Sequence, residues 1–359
     1  GLDRPHGLDL HEGWLYVAEG TAVFRVRYDD TSGAVRGERE VLVTGLPDGG
    51  NHWTRTVRIG PDRKMYVSVG SSCNVCEELE EARAAMLQYD LDGANGRLYA
   101  RGLRNSVGFD WHPGTGDLYA TDNGRDLLGD DFPPCELNRV VDGGDYGWPY
   151  ANGSRVLDPD LGEGNEERVA ASLPPAHPFR AHTAPLGIAF LREPLPGDDR
   201  QVALAALHGS WNRSEKDGYK VVSLHWNRDG TIEERDFLAG FLEDEDVIGR
   251  PVDVAQAADG AIFISDDYSG TIYRMRRGAS NDLAAAASAG ASPTDPLSVL
   301  PAAERRARAS RGEGLYVEHD CASCHEAEKA APGVVVAELA NLGARYDLAG
   351  LARFMAAPT

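Results

Sequence analysis

The chain has 359 residues, of which 42% are hydrophobic and 26% are charged, so it has enough apolar material for a packed interior and is not a disordered chain. Its 57 acidic residues against 36 basic ones give a formal net charge of −21, which repels the phosphate backbone of nucleic acids and anionic lipid surfaces. No apolar run approaches the ~20 residues of a membrane-spanning helix. A chain of this length usually has more than one hydrophobic core, which favours two domains.

Short apolar runs, each preceded by a turn sequence, recur through the first 277 residues. An aromatic residue marks the centre of four of them, at Tyr16, Tyr66, Tyr119 and Phe263, and a related run occupies 203–230. Spacings of about 50 residues suit the four-stranded blades of a β-propeller, because a single blade cannot bury both of its faces and must stack on neighbours. An open β-sandwich is the alternative, since it shares the short strands and turn signals.

Five such units are present, and a long insertion rich in Pro and Gly, at 135–200, lies inside or between them. We therefore predict an all-β propeller domain over 1–277, in which a closed ring is one blade short. At Gly278 the composition changes to small residues and Pro, which predicts a flexible linker over 278–302. Both ends of the chain look truncated, and a leader sequence is expected to have been removed.

The C-terminal segment contains the pentapeptide Cys321-Ala-Ser-Cys324-His325. Its two thiols are spaced to bind the two vinyl groups of a c-type haem, and His325 is placed to ligate the iron. The alternative is a structural disulfide beside an unrelated His. Met355 is the only later Met and fits the core of an amphipathic helix, so the sixth iron ligand is expected beyond this chain. Residues 303–359 are therefore predicted to be a small all-α cytochrome c domain, truncated at its C-terminus.

Five segments of the first 277 residues carry a family resemblance, in chain order: 51–76, 102–138, 143–150, 208–221 and 249–275. Together they resemble the soluble glucose/sorbosone dehydrogenases that use pyrroloquinoline quinone, and most closely the sorbosone/pyranose dehydrogenase branch, where a C-terminal cytochrome c domain also occurs. The resemblance implies a six-bladed propeller, with its first blade expected upstream of Gly1, that oxidises sugars with this quinone and a bound Ca²⁺.

His52 is the predicted catalytic base, because oxidation of a hydroxyl group needs a proton acceptor and a neutral imidazole has a suitable pKa. It lies in the segment that resembles the catalytic His segment of the family. In the glucose branch an Asp orients this base, whereas Ser71 stands at the corresponding place here. A surface-loop or capping His is the alternative.

Positive charge is expected around a tricarboxylate quinone. Arg104 and Asn105 resemble the family's pair at the quinone carbonyl, so Arg104 is predicted to be both catalytic and cofactor-binding. Arg250 resembles an Arg of the family that holds a cofactor carboxylate. Arg213 falls near a position where the glucose branch has Lys, and His182 aligns with a Thr that contacts the cofactor in the family. A solvated surface role is the alternative for each Arg.

The calcium site is predicted from DNGRD at 122–126, which resembles the loop of the family that presents backbone carbonyls to the metal. The resemblance implies the carbonyls of Gly124 and Arg125 as ligands, with Asn123 among the cofactor-binding residues. A calcium loop of the DxDxDG type, which uses side chains, is absent from the sequence.

Cys73 and Cys76 form a C-x-x-C pair that could be a redox dithiol, part of a zinc site or a small disulfide loop. We predict the disulfide loop, because a thioredoxin-like motif needs βαβ surroundings and a zinc site needs two more ligands. Cys135 is predicted to be unpaired. A disulfide together with covalent haem indicates an oxidising compartment, so the protein is predicted to be periplasmic or secreted.

These features together predict a quinohaemoprotein that oxidises a sugar or a related aldehyde or alcohol. The fused haem would pass electrons one at a time to an external acceptor, a cytochrome or a membrane quinone. Two alternatives stay open: a calcium-dependent hydrolase of the lactonase type, and a non-catalytic propeller that docks partners while the cytochrome carries electrons. A propeller fold alone does not decide between them.

Overall fold

A computed structural model describes residues 1–195 and 197–276, together with Arg311 and Gly314. The chain divides into two units, Gly1–Arg277 and Gly278–Thr359. All helices and strands given below belong to the first unit. The predicted linker and the predicted haem residues Cys321, Cys324 and His325 lie outside the described residues, so those assignments stay predictions.

The first two blades are antiparallel sheets of four strands taken in chain order. Blade 1 contains β1 (Leu8–His11), β2 (Trp14–Ala18), β3 (Ala22–Asp29) and β4 (Ala34–Thr44). Blade 2 contains β5 (Arg55–Ile59), β6 (Met65–Val69), β7 (Ala85–Tyr89) and β8 (Arg97–Arg101).

Blade 3 is interrupted by the long insertion. Its first three strands are β9 (Phe109–Trp111), β10 (Leu118–Asp122) and β11 (Pro134–Val140). The insertion then contains β12 (Gly144–Asp145), which adds to the edge of β8, a hairpin of β13 (Ala151–Asn152) and β14 (Val156–Leu157), and the helix α1 (Glu166–Ala171). The chain returns as β15 (His177–Ala181), the fourth strand of blade 3.

The last two blades complete the described part of the propeller. Blade 4 contains β16 (Pro185–Phe190), β17 (Val202–Leu207), β18 (Lys220–Trp226) and β19 (Ile232–Leu238). A hairpin of β20 (Leu242–Glu243) and β21 (Asp246–Val247) leads to blade 5, which contains β22 (Pro251–Gln256), β23 (Ile262–Asp266) and β24 (Thr271–Met275). The all-β propeller is thus confirmed with five blades in the described residues, and the predicted count of six is not confirmed.

Burial explains why the sequence alternates between apolar runs and charged strands. The second strands β6 and β17 are buried along their whole length, because each blade is covered on both faces by neighbours. The outermost strand β4 is largely exposed and carries the charged stretch RGERE. The aromatic residues that mark the repeat lie in second strands, where Tyr16, Tyr66 and Tyr119 are buried.

Four hydrophobic clusters join consecutive blades. Blades 1 and 2 share a cluster that includes Tyr16 and Met65, and blades 2 and 3 share one that includes Met86 and Phe109. The third and fourth clusters join blade 4 to blades 3 and 5. In the third, Trp226 packs edge-on to Tyr119 with ring centroids 5.2 Å apart, a geometry that stabilises beyond area burial.

The first strand of each blade faces the centre of the ring. Residues from five blades line a central cavity of about 80 Å³, with Leu8, Thr56, Gly108, Gly187 and Asp253 each contributed by a different blade. Two of these positions are Gly because neighbouring strands approach closely there. Within residues 1–195 and 197–276, α1 is the only α-helix, and no helix of the described residues is long and apolar enough to cross a membrane.

Substitution of Gly108 tests this packing. A Cβ atom at Gly108 would lie 2.2 Å from the carbonyl oxygen of Leu186 and 2.7 Å from the Cα of Gly187, both backbone atoms of blade 4. We expect Gly108→Ala to lower the free energy of unfolding by about 1–3 kcal/mol in urea titrations, the usual cost of overpacking. The control Gly114→Ala, in an exposed turn of the same blade, should change it far less. Equal effects of the two changes would contradict the described contact between blades 3 and 4.

Candidate active site

Antiparallel pairing brings the predicted site residues to one face of the propeller. In each blade the first strand begins where the second strand ends, so the adjoining loops share an edge. His52 precedes β5, Arg104 precedes β9, Asn123 follows β10, and His182 precedes β16. Together with their neighbours these residues line a cavity of about 180 Å³, formed by His52, Arg104, Asn105, Asn123, Gly124, Asp126, Cys135, His182, Ala184, Leu186 and Trp211.

His52 is held by the residue that replaces the family's Asp. Its Nδ1 lies 2.9 Å from the carbonyl oxygen and 2.8 Å from the hydroxyl oxygen of Ser71. The carbonyl can only accept, so Nδ1 carries the proton and donates. The Ser71 hydroxyl donates to the carbonyl of Cys73 at 2.8 Å, which leaves it as a second acceptor for Nδ1–H. The lone pair of His52 is therefore on Nε2, which makes no hydrogen bond within the described residues.

Burial, followed by the neighbouring charge of Arg104, lowers the pKa of His52 from 6.5 to about 3. Arg55 and Arg83 act in the same direction. The imidazole is therefore neutral at neutral pH, with a free lone pair on Nε2. The same three charges give the cavity a positive potential, which favours anionic ligands.

Arg104 is buried, with 4% of its surface exposed, and all five N–H groups of its guanidinium are donated to protein oxygens. Two go to the carbonyl and side chain of Asn74, each at 2.9 Å. Two go to the carbonyls of Asn123 and Gly124, and one goes to the carboxylate of Asp126 at 3.1 Å. Arg104 is thus a fixed positive charge without a spare donor.

Asp122, at the end of β10, fixes the backbone that precedes β9. Its carboxylate accepts hydrogen bonds from the backbone N–H groups of Arg104 at 2.9 Å and Asn105 at 2.5 Å. Burial raises the pKa of Asp122 to about 7. The side-chain amide of Asn105 makes no hydrogen bond within the described residues, so it is a free donor at the cavity wall.

Gly70 allows His52 and Asn105 to lie side by side. A Cβ atom at Gly70 would lie 2.6 Å from both the Cβ of His52 and the Oδ1 of Asn105. The position directly after β6 therefore has to be Gly for the side chains of His52 and Asn105 to share one wall of the cavity.

Two buried polar atoms of the cavity wall lack partners in the described residues: Nδ1 of His182 and Oδ1 of Asn123. Nε2 of His182 donates to the carbonyls of Gly129 at 2.8 Å and Phe132 at 3.1 Å, so Nδ1 carries a lone pair. His182 also has a positive φ of 64°, uncommon for a residue with a side chain. Unsatisfied buried polar atoms on a strained wall are typical of a ligand site.

The two residues predicted to ligate calcium both make protein contacts, at the carbonyl of Gly124 and at the side chain of Arg125. The carbonyl of Gly124 accepts the hydrogen bond from Arg104, although a carbonyl oxygen has a second lone pair for a metal. The guanidinium of Arg125 is buried and binds both oxygens of Asp158, at 2.7 and 2.8 Å, and Asp160 at 2.8 Å. The role of both carbonyls as metal ligands stays a prediction.

Arg213 and Arg250 do not line the cavity in the described residues. Arg213 donates to the backbone carbonyl of Asp130 and lies 3.4 Å from the carboxylate of Asp131. Arg250 pairs with Asp267 at 3.1 Å. Acidic residues distant in the sequence hold both guanidinium groups, so their predicted contacts with the cofactor are not visible in this structure.

The cysteine predictions agree with the structure where it is described. Cys73 and Cys76 form a disulfide, and Cys135 is a free, buried thiol. Cys135 also lines the cavity, which the sequence did not indicate.

Three further residues of the site were missed by sequence reasoning. Asn74 and Asp126 hold Arg104, and Trp211 lines the cavity with 73% of its surface exposed. Asn74 lies inside the C-x-x-C motif and Trp211 inside the GSWNR segment, so both stood next to residues that were singled out. Their position inside these motifs is the sequence signal for Asn74 and Trp211, whereas the exposure of Trp211 is visible only in the structure.

Several known proteins are similar to this chain in sequence or in fold. An uncharacterized protein of Borreliella burgdorferi is 31% identical over 290 residues, an alignment that covers 76% of each chain. A pyrroloquinoline quinone-dependent pyranose dehydrogenase of Coprinopsis cinerea is 26% identical over 351 residues, which covers 76% of this chain and 46% of that protein. A Trichoderma reesei structure of carbohydrate-active enzymes family AA12 superposes with a TM-score of 0.67 at 23% identity, covering 76% of this chain and 81% of that one.

The structural likeness, at that identity, supports the fold alone. A family model described as TrAA12-like matches residues 3–133 and 162–278, which is more than half of the sequence. The chain therefore belongs to the TrAA12-like family.

Proposed function

We propose that this protein is an oxidoreductase that uses pyrroloquinoline quinone to oxidise a sugar or a related aldehyde or alcohol. The observation that carries the proposal is a neutral His52 whose free Nε2 shares a cavity with the fixed charge of Arg104. Family membership and the Coprinopsis cinerea pyranose dehydrogenase support the choice of cofactor.

The residues present fit an anionic, planar cofactor. The charges of Arg104, Arg55 and Arg83 suit a tricarboxylate. The partnerless Oδ1 of Asn123 and Nδ1 of His182 are acceptors, which an N–H or O–H group of a ligand would satisfy and a carboxylate would not. The exposed ring of Trp211 offers an aromatic face at the cavity. Pyrroloquinoline quinone, when bound, supplies a two-electron acceptor for the hydride that leaves the substrate carbon.

His52 would remove the proton from the substrate hydroxyl through Nε2, because Nδ1–H is committed to Ser71. A pKa of about 3 is low for a general base working near neutral pH. The negative charge of a bound tricarboxylate would oppose the part of this lowering that comes from the arginines, although not the larger part that comes from burial. Cofactor binding would thereby make His52 a stronger base.

Arg104 would act through its charge, since its donors are already used, while the free amide of Asn105 would donate to a ligand oxygen. The carbonyls of Gly124 and Arg125 would hold Ca²⁺, a hard cation that prefers oxygen ligands. Arg213, Arg250 and His182 remain candidates for contacts with the cofactor once it is bound.

Electrons would leave through a haem c bound at Cys321, Cys324 and His325, and then pass to an external cytochrome or membrane quinone. A haem takes one electron at a time, so each oxidised substrate needs two transfers. The Cys73–Cys76 disulfide supports a periplasmic or secreted location.

His52→Ala tests the proposed base. In the holoenzyme reconstituted with quinone and Ca²⁺, we expect kcat for sugar-dependent dye reduction to fall about 10²-fold or more, the usual worth of a positioned base. Quinone affinity should change little. The control His177→Ala removes a partly buried imidazole paired with Glu234 away from the cavity and should keep kcat near that of the parent. A His52→Ala enzyme within about threefold of the parent at full cofactor loading would overturn the role of the base.

The lowered pKa of His52 also predicts a stability difference in the cofactor-free protein. Between about pH 6.5 and pH 3 the unfolded chain protonates this His while the folded chain does not, so the parent loses stability as the pH falls through this window. The His52→Gln variant has no imidazole to titrate at this position, so it cannot lose stability in this way. Urea unfolding at pH 7 and pH 4.5 should therefore show a smaller decrease for the variant, and equal decreases would show that His52 is not held neutral.

Covalent haem is tested by replacing Cys321 and Cys324 together with Ala. We expect the denatured variant to lose haem absorbance, while dye-linked sugar oxidation is largely retained because the haem acts after the chemistry. Haem that stays attached to the denatured variant would refute the assignment.

A further inference from the structure

The disulfide loop Ser71–Cys76 reaches both residues at the centre of the proposed site. It leaves blade 2 directly after β6 and is closed by the Cys73–Cys76 bond. Its first residue, Ser71, donates its backbone N–H to the carbonyl of Arg104 at 2.8 Å. The loop is therefore tied by its backbone to the segment that carries Arg104.

One end of the loop fixes His52. The imidazole Nδ1–H is accepted by the hydroxyl and carbonyl oxygens of Ser71, and that hydroxyl donates to the carbonyl of Cys73. The carbonyl of Ser72 accepts the backbone N–H of Asn51 at 2.9 Å, next to His52 in the chain. A change in the position of Cys73 would thus be transmitted to the ring of His52.

Asn74, in the middle of the loop, fixes Arg104. Its carbonyl and its side-chain Oδ1 each accept a hydrogen bond from the guanidinium at 2.9 Å. The same Oδ1 accepts the backbone N–H of Asp126 at 2.8 Å, and Nδ2 donates to the carbonyl of Asp126 at 3.2 Å. Asn74 therefore joins the loop of blade 2 to the carboxylate partner of Arg104 in blade 3.

Glu78 anchors the far side of the loop. Its carboxylate accepts the backbone N–H of Ser72 at 2.6 Å and the hydroxyl of Ser72 at 2.8 Å. With the disulfide, these bonds leave the loop little freedom to rearrange. Such rigidity matters because displacement of a catalytic group by about 1 Å can cost on the order of 10²-fold in rate.

We propose that Asn74 is a positioning residue, held by the disulfide loop, that fixes Arg104 and Asp126 relative to His52. Asn74 does not line the cavity, so it acts through Arg104 and not on the substrate. Its catalytic consequence rests on the proposed function, whereas its effect on Arg104 does not.

The experiment measures how accessible the guanidinium of Arg104 is to a labelling reagent in the cofactor-free chain. Phenylglyoxal modifies accessible guanidinium groups, and peptide mass spectrometry reports the labelled fraction at Arg104, which has 4% of its surface exposed in the parent. We expect Asn74→Ala to increase this labelling several-fold. Asn74→Asp keeps the acceptor for Arg104 and for the Asp126 backbone N–H, loses only the donation to the Asp126 carbonyl, and should restore protection.

A matched control is available in blade 4. Oδ1 of Asn227 also accepts from a guanidinium, that of Arg200 at 2.9 Å, and its Nδ2 donates to Thr231 at 3.0 Å. Asn227→Ala should leave the labelling of Arg104 unchanged. After reconstitution, Asn74→Ala should lower kcat on the order of 10²-fold, with Asn74→Asp much closer to the parent and Asn227→Ala unaffected.

The two proposals fail in different ways. If the parent oxidises no sugar but Arg104 is unprotected only in Asn74→Ala, the positioning role stands and the proposed function falls. If Arg104 stays protected in folded Asn74→Ala, the positioning role is overturned whatever the activity. Should Asn74→Ala not fold, the double variant Cys73→Ser with Cys76→Ser decides, because opening the loop should also expose Arg104, and unchanged protection would overturn the proposal.

Discussion

The proposed site depends on the hydrogen bonds that hold the buried guanidinium of Arg104. A buried charge is costly unless it is paired and fully hydrogen-bonded, so the chain must bring enough acceptors to it. They come from the loop after β6, through Asn74, and from the loop after β10, through Asn123, Gly124 and Asp126. Two loops from different blades are thereby drawn around one side chain. The cavity between them follows from this convergence.

The same charge sets the chemistry of His52. Burial and the field of three arginines keep the imidazole neutral, and the acceptors on Ser71 place its lone pair on Nε2. A neutral base beside these arginines suits the proposed anionic cofactor, whose charge would oppose their effect on the pKa of His52. In the proposed function, cofactor binding and base strength would thus be linked through electrostatics.

Much of the propeller could be predicted because its repeat is local. The second strands of four blades carry an aromatic such as Tyr66, and each turn stands next to it in the sequence. The insertion and the return of β15 into blade 3 could not be placed, since strand pairing over such a distance depends on packing. Residues such as His52 and Arg104 were found through a family resemblance and meet in one cavity. Arg250 does not line the cavity; it pairs with Asp267 beside the β22–β23 pair of its own blade, a side-chain contact that the sequence pattern does not specify.

The most direct test is to titrate the whole chain with pyrroloquinoline quinone in the presence of Ca²⁺ while recording sugar-dependent reduction of an artificial electron acceptor. The account predicts that the rate rises with added quinone, saturates at a stoichiometric amount, and falls to background when the sugar or the quinone is omitted. A folded chain that shows no sugar-dependent reduction at saturating quinone, across a panel of aldoses and related alcohols, would contradict it.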